Sequence, residues 1–311
     1  MIPEPDLEEL LGCRPLSVER LGGGSRKGVY RLTMPDDSTK IAYSWTQTEN
    51  FWPQLENDGA HDDPFTAGVG FDLFQAAHAR LASLGLRVPE IYAAGRDLAV
   101  VEDFPRGSLE DLLEKDRQAA TPVLERLAEA LAVMRQYRAP AYGRVAWIDA
   151  GHTSRERSCE TATLEFGLRC LAEAAARDQR VTDTRDRIEQ RLRELAAAVQ
   201  PRAEYSLVHG ELGFGHVMVT DDGLPVLIDI EDLMYFDVEW EHVFLRIGPA
   251  WGEYSALAVA GLDEDRIAFY LLTQRLSLVA GPLRLLEGDF PNRAFMRSII
   301  ENNLAATMTL L

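Results

Sequence analysis

The stretch 205-YSLVHGELGFGHVMVTDDGLPVLIDIEDL-233 decides how the rest of the chain is interpreted. An apolar run ends in His209-x-Glu211, a glycine-broken loop follows, and two further apolar runs are separated by Asp-Asp-Gly. Apolar runs on either side of such a turn predict two antiparallel strands. His216 precedes the first of these strands and Asp229 lies on the second. Four polar groups on adjacent segments are compatible with a phosphoryl-transfer site, a metal site or a hairpin without chemistry.

The first hundred residues are rich in predicted strands. Alternating apolar and polar residues predict two antiparallel strands within 16–34 and a third strand at 39–45. Helical spacing at 72–85 follows, and Gly85 provides a stop signal. Two short strand-like runs, EIYAAG and DLAVVEDF, complete this half. The pattern predicts a small antiparallel sheet with one helix.

The remaining chain is mostly helical. Ser108, followed three residues later by Asp111, predicts a capping box at the start of one helix. Apolar residues recur at helical spacing in six longer segments, namely 120–137, 158–178, 182–199, 239–259, 263–282 and 291–310. Together the two halves predict an α+β fold, with a small N-terminal β-rich lobe over residues 1–103 and a larger helical C-terminal lobe over residues 104–311.

Composition argues against several classes of protein. The 311 residues carry a formal net charge of −18, which disfavours nucleic acid. This charge would attract a cationic small molecule, and it would equally serve to keep the protein in solution. No apolar run approaches the roughly 20 residues that span a bilayer, and the acidic N-terminus lacks the features of a signal peptide. Three cysteines without paired spacing indicate reduced thiols. We therefore expect a cytoplasmic protein that binds neither nucleic acid nor a membrane.

Two local features add chemistry to this outline. The run Gly22-Gly23-Gly24-Ser25 lies between two predicted strands, where glycines allow backbone N–H groups to approach a phosphate and equally allow a plain turn. Asp229 lies between aliphatic residues of a predicted strand. Burying an ionised carboxylate there without a partner or a metal would cost several kcal/mol. We expect Asp229 to meet a cation.

These motifs resemble a known family. The segment 208-VHGELGFGHVMV-219, followed by 227-LIDIED-232, is similar to the catalytic core of the aminoglycoside phosphotransferases, and Gly-His at 215–216 resembles the related macrolide phosphotransferases. The stretches VPEIYAAG, VVEDFPRGSL and FDVEWEHVFL support the likeness in order and spacing. The resemblance implies a protein-kinase-like two-lobe fold with nucleotide in the N-terminal lobe. It also implies Mg²⁺-dependent transfer of the γ-phosphoryl of ATP or GTP to a hydroxyl of a small molecule, either antibiotic-like or a metabolite.

The resemblance also assigns roles to single residues. Glu211 stands where the family has its catalytic Asp, and His216 stands where it has a metal-binding Asn. Asp229 matches the metal-binding Asp, His209 the His that braces the loop, and Asp237 a structural acid. Nucleotide binding is expected at the glycine loop and at a hinge between the lobes, that is, at Gly22, Gly23, Gly24, Ser25, Glu102, Asp103 and Phe104.

One expected basic group is missing from its usual strand. Aligning the third strand puts Ser44, not a lysine, at the phosphate-anchoring position. Lys40, Arg26 and Lys27 are the candidates to replace it, and the sequence does not choose among them. Asp72, on the predicted helix, is the nearest candidate for the acid that would pair with this group.

Two other functions compete with the kinase. Glu for Asp, His for Asn and Ser for Lys together suggest a non-catalytic kinase-like protein that binds a nucleotide or ligand. Alternatively, His209, Glu211, His216 and Asp229 would form the zinc site of a hydrolase. Gly213 and Gly215 oppose the helix that the usual two-histidine zinc motif requires.

Overall fold

A computed structural model of the chain describes residues 2, 4–22, 24–52, 63–66, 69–154, 158–247 and 255–311. It combines an N-terminal five-stranded antiparallel sheet with a mostly helical C-terminal part. The α+β class is therefore confirmed, as is the order of a small sheet before a larger helical portion. Gly23 lies outside the described residues, and so do residues 248–254 of the helix predicted at 239–259.

The strands form three antiparallel groups. Their bounds are β1 (Ser17–Arg20), β2 (Gly28–Thr33), β3 (Thr39–Ser44), β4 (Ile91–Ala94), β5 (Leu98–Glu102), β6 (Arg138–Ala139), β7 (Gly143–Arg144), β8 (Tyr205–Val208), β9 (Val217–Val219), β10 (Pro225–Leu227) and β11 (Met234–Phe236). The first sheet has the order β1-β2-β3-β5-β4, the second is the hairpin β9-β10, and the third has the order β6-β8-β11-β7. The strands predicted in the first hundred residues and the Asp-Asp-Gly hairpin are thus confirmed.

The helices follow the predicted periodicity, except that the helix predicted at 239–259 is wrong at residues 255–259, which are not α-helical. Their bounds are α1 (Glu4–Leu11), α2 (Phe71–Ser83), α3 (Leu109–Lys115), α4 (Arg117–Gln136), α5 (Val145–Ile148), α6 (Cys159–Ala175), α7 (Gln179–Ala198), α8 (Val238–Ile247), α9 (Glu264–Leu285) and α10 (Arg293–Thr309). The capping box is present: Ser108 Oγ accepts from the Asp111 N–H, and the Asp111 carboxylate accepts from the Ser108 N–H. Within the described ranges, no helix is both long and apolar enough to cross a bilayer.

The chain divides into two compact units, each made of separate segments. The first comprises Met1–Trp52, Ala67–Met134 and Gly213–Leu233, and the second comprises Pro53–Thr66, Arg135–Leu212 and Met234–Leu311. The hairpin β9-β10 therefore belongs with the N-terminal sheet, and β8 with the helices. The boundary placed at residue 103, which separates a nucleotide lobe from a substrate lobe, stays a prediction.

In the first unit, the five-stranded sheet is covered on both faces. One face packs against α1 through a buried cluster of Ile2, Leu7, Tyr30, Leu32, Met34, Ala42 and Val100. On the other face, Tyr43 and Trp45 contact Phe74 of α2 at ring-centroid distances of 5.7 and 5.8 Å. Helix α2 also packs against a short 3-10 turn, Ile230–Asp232, that follows the hairpin. This second face carries the candidate site.

In the second unit, a buried ion network lies beside α8. Asp237 accepts from the guanidinium of Arg266 and from the hydroxyl of Tyr270, and all three side chains are buried. Arg202 binds the carboxylate of Glu239 through two hydrogen bonds of 2.6 and 2.8 Å. Removing one partner of such a pair would leave an uncompensated charge in the interior, so these residues depend on one another. This arrangement is consistent with the structural role that the resemblance implies for Asp237.

Candidate active site

Asp229 directly follows the hairpin and does not lie within a strand. Strand β10 ends at Leu227, and the Ile228 N–H donates to the His216 carbonyl at 3.0 Å. Asp229 has φ 58° and ψ 45°, a left-handed conformation that Asp tolerates better than most residues. Its side chain is 43% exposed. The expectation of a buried strand residue is therefore wrong, because the strand ends two residues earlier and the backbone turns out of it.

The Asp229 carboxylate is held between a lysine and a histidine. Lys27 Nζ lies 2.7 Å from one carboxylate oxygen, and His216 Nε2 lies 3.6 Å from the other. The Lys27 side chain is only 8% exposed. Burial alone would lower the pKa of Lys27, but the attraction of Asp229 and Glu231 outweighs it and raises that pKa above its ordinary value. Lys27 is therefore a buried cation at neutral pH.

Glu231 is the second acid at this lysine. Its Oε1 accepts from Lys27 Nζ and, at 3.1 Å, from Trp45 Nε1. Its Oε2 is buried and has no hydrogen-bond partner among the described residues. Next in the chain, Asp232 accepts from Arg26 at 2.9 Å. In the turn after the hairpin, the carboxylates of Glu231 and Asp232 thus both bind basic residues of the glycine loop.

The glycine loop is ordered by its own backbone and by the segment at 51–52. Gly24 has φ 65°, and a Cβ there would lie 2.5 Å from the Lys27 carbonyl oxygen, so only glycine fits without strain. Ser25 Oγ accepts from Trp52 Nε1 at 2.8 Å, and the Ser25 carbonyl accepts from the Phe51 N–H. A Cβ added at Gly22 would meet no atom of the described residues within 4 Å. Nucleotide binding by Gly22, Gly24 and Ser25 stays a prediction.

Lys40, Ser44 and Asp72 do not take part in this cluster, whereas Arg26 binds Asp232 within it. Lys40 Nζ sits 3.4 Å from the centroid of the Tyr92 ring. Ser44 lies between Tyr43 and Trp45, which both contact α2, so its side chain is on the opposite face of the sheet. Asp72 is exposed in the first turn of α2. The acids that bind the buried lysine are instead those that follow the hairpin.

The predicted hinge residues have engaged side chains. The Glu102 carboxylate binds the Arg87 guanidinium, and Asp103 accepts two hydrogen bonds from Arg31 at 2.7 and 3.0 Å. Phe104 is buried, with the Arg87 guanidinium 5.8 Å from its ring centroid. These side chains fix the backbone that follows β5. Contact of Glu102, Asp103 and Phe104 with a nucleobase stays a prediction.

In the second unit, side chains of α8 hold the backbone of the loop that follows β8. The Glu241 carboxylate accepts from the N–H groups of His209, at 3.1 and 3.2 Å, and of Gly210, at 3.3 Å. Trp240 Nε1 donates to the Gly210 carbonyl at 3.0 Å. His209 is buried and Glu211 is exposed. Burial raises the pKa of Glu241 to about 7. These contacts hold the backbone that carries Glu211.

The sequence contained Glu241 and Trp240 within the motif 236-FDVEWEHVFL-245, but it did not indicate their contact with the loop. The structure brings His216 and Asp229 together with Lys27 in the first unit, whereas Glu211 belongs to the second. The missed signal was an acid inside an apolar helix face, which needs buried hydrogen-bond donors to be tolerated.

The residues beside Asp229 fit a magnesium ion better than a structural zinc. Asp229 Oδ2 and His216 Nε2 are 3.6 Å apart, close enough to contact one cation. Mg²⁺ is usually held by one or two protein side chains together with substrate phosphates, so two protein groups suffice. Zinc requires more protein ligands. Within the part of the chain that the structure describes, no three His, Cys, Asp or Glu side chains are arranged to hold a metal, so the zinc-hydrolase alternative gains no support.

Solved structures of low sequence identity share this fold. A thermostable mutant of aminoglycoside phosphotransferase APH(4)-Ia is 16% identical with a TM-score of 0.63, over 98% of this chain and 99% of that one. Spectinomycin phosphotransferase APH(9)-Ia in complex with ADP and spectinomycin is 12% identical with a TM-score of 0.63, over 99% and 98%. Choline kinase LicA from Streptococcus pneumoniae is 14% identical with a TM-score of 0.62, over 98% and 97%. These matches confirm the kinase-like fold.

The family follows from the sequence itself. No curated protein matches the chain. The family model described as "phosphotransferase enzyme family" matches residues 69–275, which is more than half of the chain and includes Glu211, His216 and Asp229. The match therefore confirms the resemblance, and the chain belongs to the phosphotransferase enzyme family.

Proposed function

We propose that this protein transfers the γ-phosphoryl group of ATP or GTP, with Mg²⁺, to a hydroxyl group of a small molecule. The observation that carries the proposal is the setting of Asp229: a half-exposed carboxylate with one oxygen on a buried lysine and the other facing His216. Such a carboxylate is partly exposed to solvent and is held in a fixed orientation. Membership of the phosphotransferase family and the kinase-like fold support the same chemistry.

Asp229 and His216 would hold the metal ion. When bound, Mg²⁺ would offset the negative charge of the β- and γ-phosphates. The side chain of Asp229 is oriented for this by its left-handed backbone and by its hydrogen bond to Lys27. A second protein ligand that is an imidazole suits Mg²⁺ less well than an oxygen would, which makes Asp229 the dominant group.

Glu211 would receive the acceptor. The acceptor oxygen forms a bond to the γ-phosphorus, the bond from that phosphorus to the bridging oxygen breaks, and the nucleoside diphosphate leaves. The hydroxyl proton passes to the carboxylate of Glu211. Glu241 and Trp240 hold the backbone of the loop, so the side chain of Glu211, one methylene longer than Asp, extends from a fixed backbone position. Positioning of this kind matters, since a misplacement of about 1 Å can cost roughly 10²-fold in rate.

The glycine loop and the hinge would bind the nucleotide. Backbone N–H groups around Gly22, Gly24 and Ser25 would approach the phosphates, and backbone groups of Glu102, Asp103 and Phe104 would meet the base. Gly23 belongs to the same loop but lies outside the described residues. A net charge of −18 favours a cationic acceptor, and relatives in solved structures include enzymes for spectinomycin and choline. The acceptor is therefore proposed to be a small, hydroxyl-bearing molecule, with amines preferred.

The test is nucleotide binding followed by a search for phosphorylated product. Thermal unfolding should shift upward with Mg-ATP or Mg-GTP, because a ligand that binds the folded state raises the melting temperature. Asp229→Ala should abolish phosphorylation of an acceptor found by mass spectrometry. Asp72→Ala removes an exposed acid of the same unit and should leave both readouts unchanged. Absence of any nucleotide binding by the wild-type protein would refute the proposal.

The replaced motif residues favour one alternative, a non-catalytic protein that binds nucleotide. Glu211 and His216 stand where the resemblance implies Asp and Asn. The double variant Glu211→Asp, His216→Asn separates the two functions. If wild type binds nucleotide and neither protein hydrolyses it or phosphorylates any acceptor, the non-catalytic function is correct.

A further inference from the structure

We infer that Lys27 is the phosphate-anchoring group of this protein, and that it reaches the site from the start of β2 instead of from β3. This inference rests on the proposed function, because it assigns a role at the same nucleotide site. The position expected for a lysine on β3 holds Ser44, whose side chain lies on the opposite face of the sheet. The protein must neutralise the incoming phosphates from another position.

The register between β2 and β3 places the Lys27 ammonium group next to the proposed metal ligand, Asp229. Gly28 pairs with Ser44, so the residue before Gly28 lies beside Trp45, one position further along β3. Trp45 Nε1 and Lys27 Nζ both bind the same oxygen of Glu231. The ammonium group therefore lies on the sheet face that contacts α2, although its backbone is in the glycine loop, just before β2.

Lys27 contacts two carboxylates and an aromatic ring. Its Nζ bonds Asp229, which is the proposed metal ligand, as well as Glu231, and lies 4.8 Å from the centroid of the Tyr43 ring. An ammonium group has three N–H donors. Two are used by these acids, and within the described residues the third has no further hydrogen-bond acceptor. That donor is available to a phosphate oxygen.

The chain contains three lysines, and the other two lie away from these acids. Lys40 Nζ rests on the Tyr92 ring, and Lys115 ends α3. Arg26 is adjacent to Lys27 but binds Asp232 and stacks over Trp52 at 5.4 Å. Lys27 is thus the lysine whose position joins the glycine loop to the proposed metal ligand.

Calorimetric titration of two ligands tests this assignment. Mg-ATP (or Mg-GTP, whichever the wild type prefers) measures phosphate contacts, and the matching nucleoside measures contacts to the base alone. Lys27→Met should weaken binding of the Mg-nucleotide by roughly tenfold or more, the scale of one lost charge-assisted contact. Binding of the nucleoside should stay within about twofold of wild type, and Lys40→Met, the matched control, should change neither affinity.

A second variant guards against misfolding. Lys27→Met alone leaves Asp229 and Glu231 without their common cation, so the double variant Lys27→Met, Glu231→Gln removes the buried charge as well. It should unfold cooperatively and show the same selective loss of the Mg-nucleotide.

The outcomes separate the two proposals. If wild type binds Mg-nucleotide and both Lys27 variants bind it equally well, or lose nucleoside in equal measure, Lys27 is a structural residue and the inference is overturned while the proposed function stands. If wild type binds no nucleotide at all, the proposed function fails, and the role of Lys27 fails with it.

Discussion

Replacing Glu241 by glutamine should stabilise the protein relative to wild type, and increasingly so as pH rises. The Glu241 carboxyl group is buried beneath the loop that carries His209, and burial raises its pKa from 4.5 to about 7. The folded protein therefore binds this proton more tightly than the unfolded chain does. Stability contributed by the protonated group is complete below pH 4.5 and is lost as pH rises toward 7.

The size of the effect follows from the two pKa values. A shift from 4.5 to about 7 corresponds to about 3 kcal/mol when both states are fully ionised. Between about pH 5 and pH 8, the free energy of unfolding of wild type should fall by about 2–3 kcal/mol relative to that of Glu241→Gln. Glutamine is close in shape and keeps an oxygen that accepts from the N–H groups of His209 and Gly210.

Urea unfolding of both proteins at several pH values, followed by circular dichroism, measures this difference. Taking the difference between variants removes the background titration of the other acids. Glu194→Gln, on the exposed face of α7, serves as the matched control and should follow wild type at every pH. A difference between wild type and Glu241→Gln that is constant with pH, or that shrinks as pH rises, would refute the burial argument.

Three further substitutions test other parts of the fold by urea unfolding. Gly28→Ala should destabilise by about 1–3 kcal/mol, because the added Cβ would lie 2.6 Å from the Glu49 carboxylate; an unchanged midpoint would contradict this contact. Arg266→Met should cost up to about 3–5 kcal/mol, because Asp237 loses its buried guanidinium partner and keeps only Arg202 and the Tyr270 hydroxyl, and adding Asp237→Asn should recover part of the loss. Ser108→Ala should cost about 1 kcal/mol through loss of the α3 cap, whereas Ser108→Thr, which keeps the hydroxyl that donates to Asp111, should cost less.

The fold was predictable from sequence to the extent that its signals are local. Alternation at 16–34 and the helical spacing of the later segments depend on neighbouring residues, and the corresponding strands and helices are present. The capping box at Ser108 is equally local and was correctly predicted. Short strands such as β6 and β7, two residues each, carry no periodicity of their own. They form only because β8 and β11 are beside them.

The site was less predictable because its geometry depends on distant contacts and on backbone conformation. The motif indicated Asp229 as a candidate. No sequence pattern indicates that β10 ends at Leu227 or that the backbone of Asp229 is left-handed. Likewise, the three basic candidates could not be ranked, because Lys27 meets its acids across 202 and 204 residues of chain. Glu241 was visible as a letter, while its two amide partners were not.

The long sequence separation between Lys27 and its acids also has a consequence for folding during synthesis. At roughly 5–20 residues per second, the ribosome needs about 10–40 s between making Lys27 and making Glu231. Throughout that interval the lysine has neither acid and must stay hydrated, so the aromatic face of the nascent sheet cannot close over it. We therefore expect the N-terminal sheet to close over Lys27 only after the hairpin and the turn that follows it have been made.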